Sequence, residues 1–375
     1  MTRNPGTTAA LETHPAVRAL ALCAVALTIV LITVGGLVTN TDSGLACPDW
    51  PTCFGTPFPK LVGGVLMEHG HRYLATAVGF VTVLLVIGTR LKKPASMIPS
   101  LLVAMPLILV GGVWAGAAKH QTGAVPALAG LLVLAGYGAG IISIARARGA
   151  ARLAEFALLL VITQGLLGGA TVMYQLPVTI LILHLGTSML FLAVLVWLFV
   201  SLEPRILELA PAASTVAQQR LGARVLLPLS TAAVYLQILI GASVRHTGAG
   251  LICTEWLCRG ALWPMGAELH PAVHLHMLHR AFALVVFALV VWTSVRVLRD
   301  ALHANDRRAA ALGLIVPLLL LAQLVLGVAT IATLKEMWVV TAHLLVAALI
   351  LSALTCLWAR AARAAALSAP TLESP

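Results

Sequence analysis

The sequence has little charge. Only 10% of its 375 residues are Asp, Glu, Lys or Arg, whereas 60% are hydrophobic and the mean hydropathy is +0.99. A soluble domain cannot bury that much apolar surface, so the composition excludes a soluble fold and indicates a lipid-facing bundle of helices. No small-residue cleavage site precedes residues 39–44, and Arg3 is the one basic residue in 1–15. We therefore expect neither a cleaved signal peptide nor mitochondrial targeting, but a bacterial plasma membrane.

Apolar windows of about 20 residues predict an all-α polytopic membrane protein with ten transmembrane helices and both termini cytoplasmic. Of the 24 Lys and Arg residues, 17 fall on the predicted cytoplasmic side, 5 in outer loops, and two near outer helix ends. This bias makes the net charge of +11 a topology signal and argues against a nucleic-acid partner. The predicted spans lie at roughly 16–40, 67–89, 97–118, 124–145, 153–173, 177–200, 223–245, 271–295, 309–331 and 337–359.

Cysteine is also scarce, with six in the chain. Cys23 and Cys356 lie within spans, where we expect them to pack in the core. The other four form one pair in each of two long outer loops: Cys47 with Cys53, and Cys253 with Cys258. An oxidising outer compartment favours a disulfide in each loop. A metal site is the alternative, but the spacing is poor for zinc and no histidines cluster beside it.

The two cysteine loops are copies of one pattern. Shifted by 206 residues, 35–50 (GGLVTNTDSGLACPDW) overlays 241–256 (GASVRHTGAGLICTEW) with seven identities in sixteen positions. A shift of 208 then places His71 on His279. A shift of 159 places the QxxLG motif at Gln164 on the one at Gln323. Matches that keep their order along the chain indicate an internal repeat.

The two copies differ in length. His71 and His184 are 49 residues further apart than His279 and His343, and the two spans at about 97–145 account for the difference. We therefore predict two repeated four-helix bundles plus an inserted transmembrane hairpin that serves packing or oligomer contact. The predicted units are an N-terminal repeat at 16–200, a cytoplasmic linker at 201–222 and a C-terminal repeat at 223–360.

Each repeat contributes two histidines at one depth, one to two turns below the outer ends of their helices, which is roughly 6–10 Å. Ionisable residues within a span are costly and are candidates for function. Two histidines on neighbouring helices can ligate a heme iron from opposite faces. Two adjacent arginines, Arg72 and Arg280, could pair with heme propionates. The alternatives are hydrogen-bonded structural histidines, or a metal-only site, which lacks a third ligand at this depth. The four residues are His71, His184, His279 and His343.

One position breaks the symmetry. Glu68 in the first repeat corresponds to His276 in the second. A carboxyl group one helical turn from His71 lies on the same helix face, where it suits proton transfer or stabilisation of a developing cation. The alternative is a carboxylate paired with Arg72 or with lipid headgroups. The remaining candidates lie near the outer surface, where they would support the ligand residues or carry protons: His69, His270, His274 and His276.

Several sequence motifs in the two repeats resemble those of the heme A synthases of the cysteine-containing bacterial type. The resemblance rests on GGLVTNTDSGLACPDWPTC, EHGHR, QGLLGGATV, HLHMLHR and the late helix with His343, and it covers roughly 16–90 and 151–360. The inserted spans depart from the eight-helix pattern of that family. The resemblance implies an oxidoreductase that oxidises the C8 methyl of heme O, through an alcohol stage, to the formyl group of heme A.

The resemblance also implies roles for individual residues. His279 and His343 would ligate a retained heme b, and His71 and His184 would hold the substrate heme O. Glu68 would be the catalytic carboxylate. Cys47/Cys53 and Cys253/Cys258 would be the family's loop cysteines, as structural bridges or as a redox relay.

Two other functions compete with this interpretation. A diheme b-type membrane electron-transfer protein, linked to quinol, explains four histidines but not the Glu68/His276 asymmetry or the loop cysteines. A transporter is less consistent, because transporters break helices near the midplane and here the polar residues cluster near one surface. Besides membrane lipid, heme O synthase and the terminal oxidase assembly are candidate partners, and the electron donor or acceptor is unknown.

Overall fold

A computed structural model describes residues 15–90, 100–117, 124–203, 216–255, 258 and 270–367. Over these ranges the fold is all-helical, with ten α-helices and no strand beyond an isolated bridge in the first cysteine loop. Nine of the described helices are long and apolar enough to cross a membrane; the side chains of α3 are described only over Met105–Trp114. The helices are α1 (Pro15–Asn40), α2 (Gly64–Arg90), α3 (Ser100–Ala117), α4 (Ala124–Arg146), α5 (Gly149–Met173), α6 (Val178–Ser201), α7 (Val216–His246), α8 (Pro271–His303), α9 (Arg307–Ala332) and α10 (Met337–Leu367).

The ten predicted helices are all present, but several extend further than the apolar windows. Helix α10 continues to Leu367 through the segment ARAARAAAL, because Ala and Arg are strong helix formers that need no lipid contact. Helix α7 begins at Val216, so the linker predicted at 201–222 is too long at its C-terminal end. Residues 204–215 of that linker lie outside the described residues.

Four helices of each half close into a ring of neighbouring contacts. In the first ring α1 contacts α2, α2 contacts α5, α5 contacts α6, and α6 contacts α1. The second ring repeats this order with α7, α8, α9 and α10. The inserted helices α3 and α4 pack on each other and on α5, so they extend the first ring from its outside. The insertion therefore leaves the ring itself intact.

Apolar side chains fill the rings and join them. Leu85, Leu158 and Leu195 are buried inside the first ring. Met189 on α6 and Leu354 on α10 belong to one buried cluster that spans both halves, consistent with the contacts of α6 and α1 with α10. Because lipid tails are as apolar as these side chains, close packing rather than water exclusion holds such helices together.

The outer faces of the rings are also apolar. Phe80, Leu134 and Leu318 are exposed on the bundle surface, as lipid-facing residues should be. Cys23 is exposed as well, so its prediction as a core residue was wrong: it lies on the outward side of α1. Cys356 is partly buried and packs against the cluster shared by the two halves.

A polar cluster ties the halves together at the end opposite the cysteine loops. The buried carboxylate of Glu203, just after α6, accepts hydrogen bonds from Arg18 at 3.4 Å, from Arg308, and from Arg360 at 2.9 Å. Arg360 also bonds Asp306 at 3.1 Å. Four helices, α1, α6, α9 and α10, thus converge on one carboxylate.

The outer end carries a second polar link between the halves. The Asn40 side chain donates to Thr341 Oγ1 at 2.9 Å and accepts from Arg245 at 2.8 Å. It therefore connects the end of α1 with α7 and α10. The two rings are fastened together at both ends.

Candidate functional site

The first histidine pair lies inside the first ring. His71 on α2 and His184 on α6 come from helices that are opposite each other in the ring, and they are close enough to interact electrostatically. Both side chains are only partly exposed, and the Nδ1 atom of each is buried without a hydrogen-bond partner among the described residues. An unsatisfied buried polar atom costs about 1–3 kcal/mol, which a bound ligand would offset.

The second ring repeats the arrangement. His279 on α8 and His343 on α10 again come from opposite helices and interact electrostatically. In this pair, glutamine side chains contact the two imidazoles. Gln237 lies 3.1 Å from His279 Nδ1, and Gln323 lies 3.2 Å from His343 Nε2. The structure therefore brings together both predicted pairs, one in each ring.

Each of the four imidazoles rests against a glycine on a neighbouring helix. A Cβ atom added at Gly35 would lie 3.1 Å from His71 Cε1, and one at Gly241 would lie 2.9 Å from His279 Cε1. The corresponding distances are 3.5 Å from Gly168 to His184 and 3.4 Å from Gly327 to His343. Glycine at these positions thus leaves room for the imidazole of the neighbouring helix.

These features fit heme. Two imidazoles facing each other across an apolar bundle are the ligand set of a six-coordinate heme, and buried nitrogens without partners are available for such a role. In the part of the chain that the structure describes, the one cluster of three metal-ligand side chains is Cys47, Cys53 and His69, whose two cysteines are bonded to each other. The histidine pairs therefore suit a porphyrin better than a bare ion.

Glu68 lies at the base of the first cysteine loop. The residue is 4% exposed; Oε1 accepts from Arg72 at 2.5 Å, and Oε2 accepts from the Cys47 amide at 2.7 Å. The pairing with Arg72 that we considered as an alternative is therefore present. It is compatible with a chemical role, because charge-assisted bonds to both oxygens fix the direction of the carboxylate beside His71.

The two arginines predicted to bind propionates hold the cysteine loops. Arg72 donates to the carbonyls of Asp49 at 2.8 Å and Thr52 at 2.6 Å. Arg280 donates to the carbonyls of Glu255 at 2.8 Å and Cys253 at 2.5 Å. Their role toward propionates stays a prediction. A further bond joins Arg280 Nε to His276 Nε2 at 3.2 Å, at the position that Glu68 occupies in the first half.

The predicted disulfides are present. Cys47 is bonded to Cys53 and Cys253 to Cys258, and all four cysteines are buried. His69, considered a secondary-shell candidate, is 2% exposed, with Nδ1 3.9 Å from Cys47 Sγ and Nε2 3.1 Å from the Pro57 carbonyl. It therefore packs under the first disulfide and not beside the histidine pair.

Asp49 organises the first loop, a role that sequence reasoning missed. Its carboxylate accepts from the amides of Phe54 at 2.6 Å and Gly55 at 3.0 Å, and from the Thr52 hydroxyl. Partial burial opposes ionisation, but these hydrogen bonds and the nearby charge of Arg72 prevail and hold the pKa of Asp49 below its usual value. The Asp at the start of a CPDWPTC turn was the available signal.

Two of the other histidines near the outer surface have structural contacts in the fold. His270 caps α8, and its Nδ1 accepts from the Ala272 amide at 3.2 Å. His276 is buried beside Arg280. The glutamines of the QxxLG motifs were visible as repeats, but their contacts with the histidines were not foreseen.

Taken as a class, this is a multi-pass helical membrane protein in which two similar four-helix rings each present a histidine pair suited to heme. The sequence comparisons agree with that class. The chain matches the family described as "Cytochrome oxidase assembly protein" (COX15-CtaA) over residues 18–63 and 62–355.

Individual relatives narrow the assignment. The chain is 30% identical to the heme A synthase of Symbiobacterium thermophilum over 304 residues, 79% of this chain and 82% of that protein. It is 28% identical to the heme A synthase of Methylobacterium radiotolerans over 381 residues, 96% and 94% of the two chains. It is 26% identical to that of Halalkalibacterium halodurans over 333 residues, 87% and 90%. The protein belongs to the heme A synthase family.

Proposed function

We propose that this protein is an oxidoreductase that converts heme O to heme A by oxidising the C8 ring methyl to a formyl group. The observation that carries the proposal is the asymmetry between two otherwise similar sites. A buried carboxylate, Glu68, stands one turn from His71 in the first ring, and the equivalent position in the second ring is His276. One site therefore has a group for chemistry, and the other has the features of an electron carrier.

The two pairs have different roles in this proposal. His71 and His184 hold the substrate heme O, and His279 and His343 ligate a resident heme b. When bound, heme b supplies electron transfer, which the protein side chains cannot provide. The apolar walls of both rings exclude water from the bound macrocycles. Arg72 and Arg280 keep the disulfide loops closed over the histidine ends of the rings.

Glu68 is the catalytic residue in this scheme. Its carboxylate lies beside the substrate site with both oxygens oriented by hydrogen bonds. If heme O were held by His71 and His184, the negative charge of Glu68 would favour positive charge that develops at the ring methyl, and its oxygen would take up the proton released when a C–H bond is oxidised. A positioned general base of this kind typically contributes 10²- to 10⁴-fold to a rate.

The proposal includes a cellular setting. The protein lies in a bacterial plasma membrane, and the bias of basic residues supports an orientation with the heme sites toward the outer face. Heme O reaches the protein through the membrane from heme O synthase, and heme A leaves for the terminal oxidase assembly. The electron donor or acceptor is a further partner.

The test uses Glu68→Gln with His276→Gln at the equivalent position as the matched control. Each full-length protein is expressed with and without a heme O synthase, and its hemes are extracted and quantified by pyridine hemochrome spectra and chromatography. We expect Glu68→Gln to keep its hemes while heme A falls by about 10²-fold or more. His276→Gln should still make heme A.

Two results would contradict the proposal. Heme A at the wild-type level in Glu68→Gln would remove the catalytic role. Heme b alone at two per chain, with and without the synthase, would favour the diheme electron carrier instead.

A further inference from the structure

The two histidine pairs differ in what holds the imidazoles. In the second ring Gln237 contacts both His279 Nδ1, at 3.1 Å, and the His279 carbonyl, at 2.9 Å. Gln323 contacts His343 Nε2 at 3.2 Å. The Oε1 atoms of both glutamines are buried with no hydrogen-bond partner among the described residues. Each of the two imidazoles in the second ring of helices is thus contacted by a side-chain amide, and the oxygen of that amide is still free to accept a hydrogen bond.

The first ring lacks both contacts. The residue equivalent to Gln237 is Leu31, whose side chain has no amide; the Leu31 backbone, and not a side chain, hydrogen-bonds the His71 imidazole. Gln164 is equivalent to Gln323, but its amide donates to the His184 carbonyl at 2.9 Å and to the Thr187 hydroxyl. The repeat partner of Thr187 is Val346, which has no hydroxyl to attract Gln323. One substitution removes a glutamine and the other redirects one, so no glutamine amide contacts either imidazole of this pair. Among the described residues, Nδ1 is buried without a partner in His71, in His184 and also in His343, so the two pairs differ in their glutamine contacts.

This difference matters for a metal ligand. An imidazole that binds iron through one nitrogen carries a proton on the other, and a partner for that proton fixes the ring and raises its basicity. A side-chain amide has both a donor and an acceptor, and rotation of the amide by about 180° lets either one face the imidazole. Loss of such an outer partner typically costs 10- to 100-fold in metal affinity.

We infer that Gln237, together with Gln323, is a positioning residue that makes the second ring retain its heme, and that Leu31 and Thr187 leave the first ring able to release its heme. This inference rests on the proposed function, in which one heme stays and the other is substrate and product. It gives a physical reason for two similar sites to differ in residence time. The difference lies in the partners of the ligands and not in the ligands themselves.

The experiment uses Gln237→Leu, which installs the residue that the first ring has at this position. Full-length protein carrying heme b is mixed with apomyoglobin, and heme transfer is followed by absorbance. We expect wild type to lose heme in a fast phase from the first ring and a slow phase from the second. Gln237→Leu should speed the slow phase about 10- to 100-fold.

A control and a conservative variant separate positioning from folding. Ser230→Ala removes another buried contact between the same two helices, Ser230 to Thr293 at 2.7 Å, two turns away from Gln237. It should leave both phases unchanged. Gln237→Glu keeps an acceptor and should keep the slow phase. The midpoint potential of the retained heme b should rise in Gln237→Leu and fall in Gln237→Glu, because a stronger acceptor makes the ligand more basic and favours ferric iron.

The reciprocal change tests the first ring. Leu31→Gln should slow the fast phase, since it supplies His71 with the missing amide. The inference is overturned if Gln237→Leu leaves the slow phase and the potential unchanged, if Ser230→Ala changes them equally, or if Leu31→Gln leaves the fast phase as it was. Heme A is measured separately in wild-type protein expressed with a heme O synthase, so a failure of the proposed function would show there, independently of the transfer rates.

Discussion

The glycine that supports His279 gives a sharp test of the ligand geometry. Gly241→Ala would place a Cβ atom 2.9 Å from His279 Cε1, whereas ordinary contact begins at 3.4 Å. The ring must therefore move by about 0.5 Å, which is the tolerance within which a functional group must be held. Gly327→Ala on the opposite side meets His343 at 3.4 Å and requires no movement. The two substitutions are chemically identical and differ only in this clearance.

The expected energies separate ligation from folding. Overpacking costs about 1–3 kcal/mol, and replacing a helical glycine by alanine returns up to about 1 kcal/mol of helix propensity. Unfolding free energy should therefore change by no more than about 2 kcal/mol in Gly241→Ala. If the displaced ring passes about 1.4 kcal/mol of this strain to ligation, heme b affinity falls about tenfold.

The assay combines heme titration of the purified protein with the low-spin electron paramagnetic resonance signal of ferric heme b. Gly241→Ala should shift that signal and weaken binding, and Gly327→Ala should do neither. The reasoning is refuted if the two variants behave alike, or if Gly327→Ala is the more disturbed. Thermal unfolding of both proteins checks that each is folded.

Two further predictions concern charged groups away from the histidines. Arg90→Met leaves Glu155, which is fully buried, without its cation, and should cost about 3–5 kcal/mol of unfolding free energy; the double variant with Glu155→Gln should recover most of that loss. The lowered pKa of Asp49 means that its stabilisation of the first loop is complete above the unfolded value of 3.8 and is lost as the pH falls below that value through the folded pKa. The protection factors of the Phe54 and Gly55 amides, which are corrected for the intrinsic pH dependence of exchange, should therefore fall in acid, and Asp49→Asn should show low protection at every pH. Protection factors at these amides that do not change with pH in the native protein would contradict the assignment.

Much of the architecture could be predicted from the sequence, because a helix that spans the lipid bilayer needs a long apolar segment. Apolar length predicted the ten helices, and the offsets between repeated motifs paired His71 with His184 and His279 with His343. The two histidines of a pair were expected on neighbouring helices, whereas the structure places them on opposite helices of each ring. The insertion was visible as a change of offset, and the loop pairing of the cysteines followed from their proximity in sequence.

The direction in which individual side chains point could not be predicted from the sequence in the same way. Arg72 stands next to His71 in sequence, yet its guanidinium turns to loop carbonyls that fold back from 20 to 23 residues away. Gln164 and Gln323 share a motif but point to different acceptors, because a threonine on the adjacent helix competes for one of them. Such choices depend on which partner a distant segment presents, and pattern alone does not contain that information.

The carboxylate of Glu203 has a consequence for biogenesis. It lies at the end of α6, but two of its arginine partners, Arg308 and Arg360, belong to α9 and α10, which are synthesised after it. Before α9 has been made, Arg18 is the one partner among the described residues that is available to neutralise this group. The cluster closes when α10 has been inserted. Insertion of α10 therefore also fixes the N-terminal ring to the second ring.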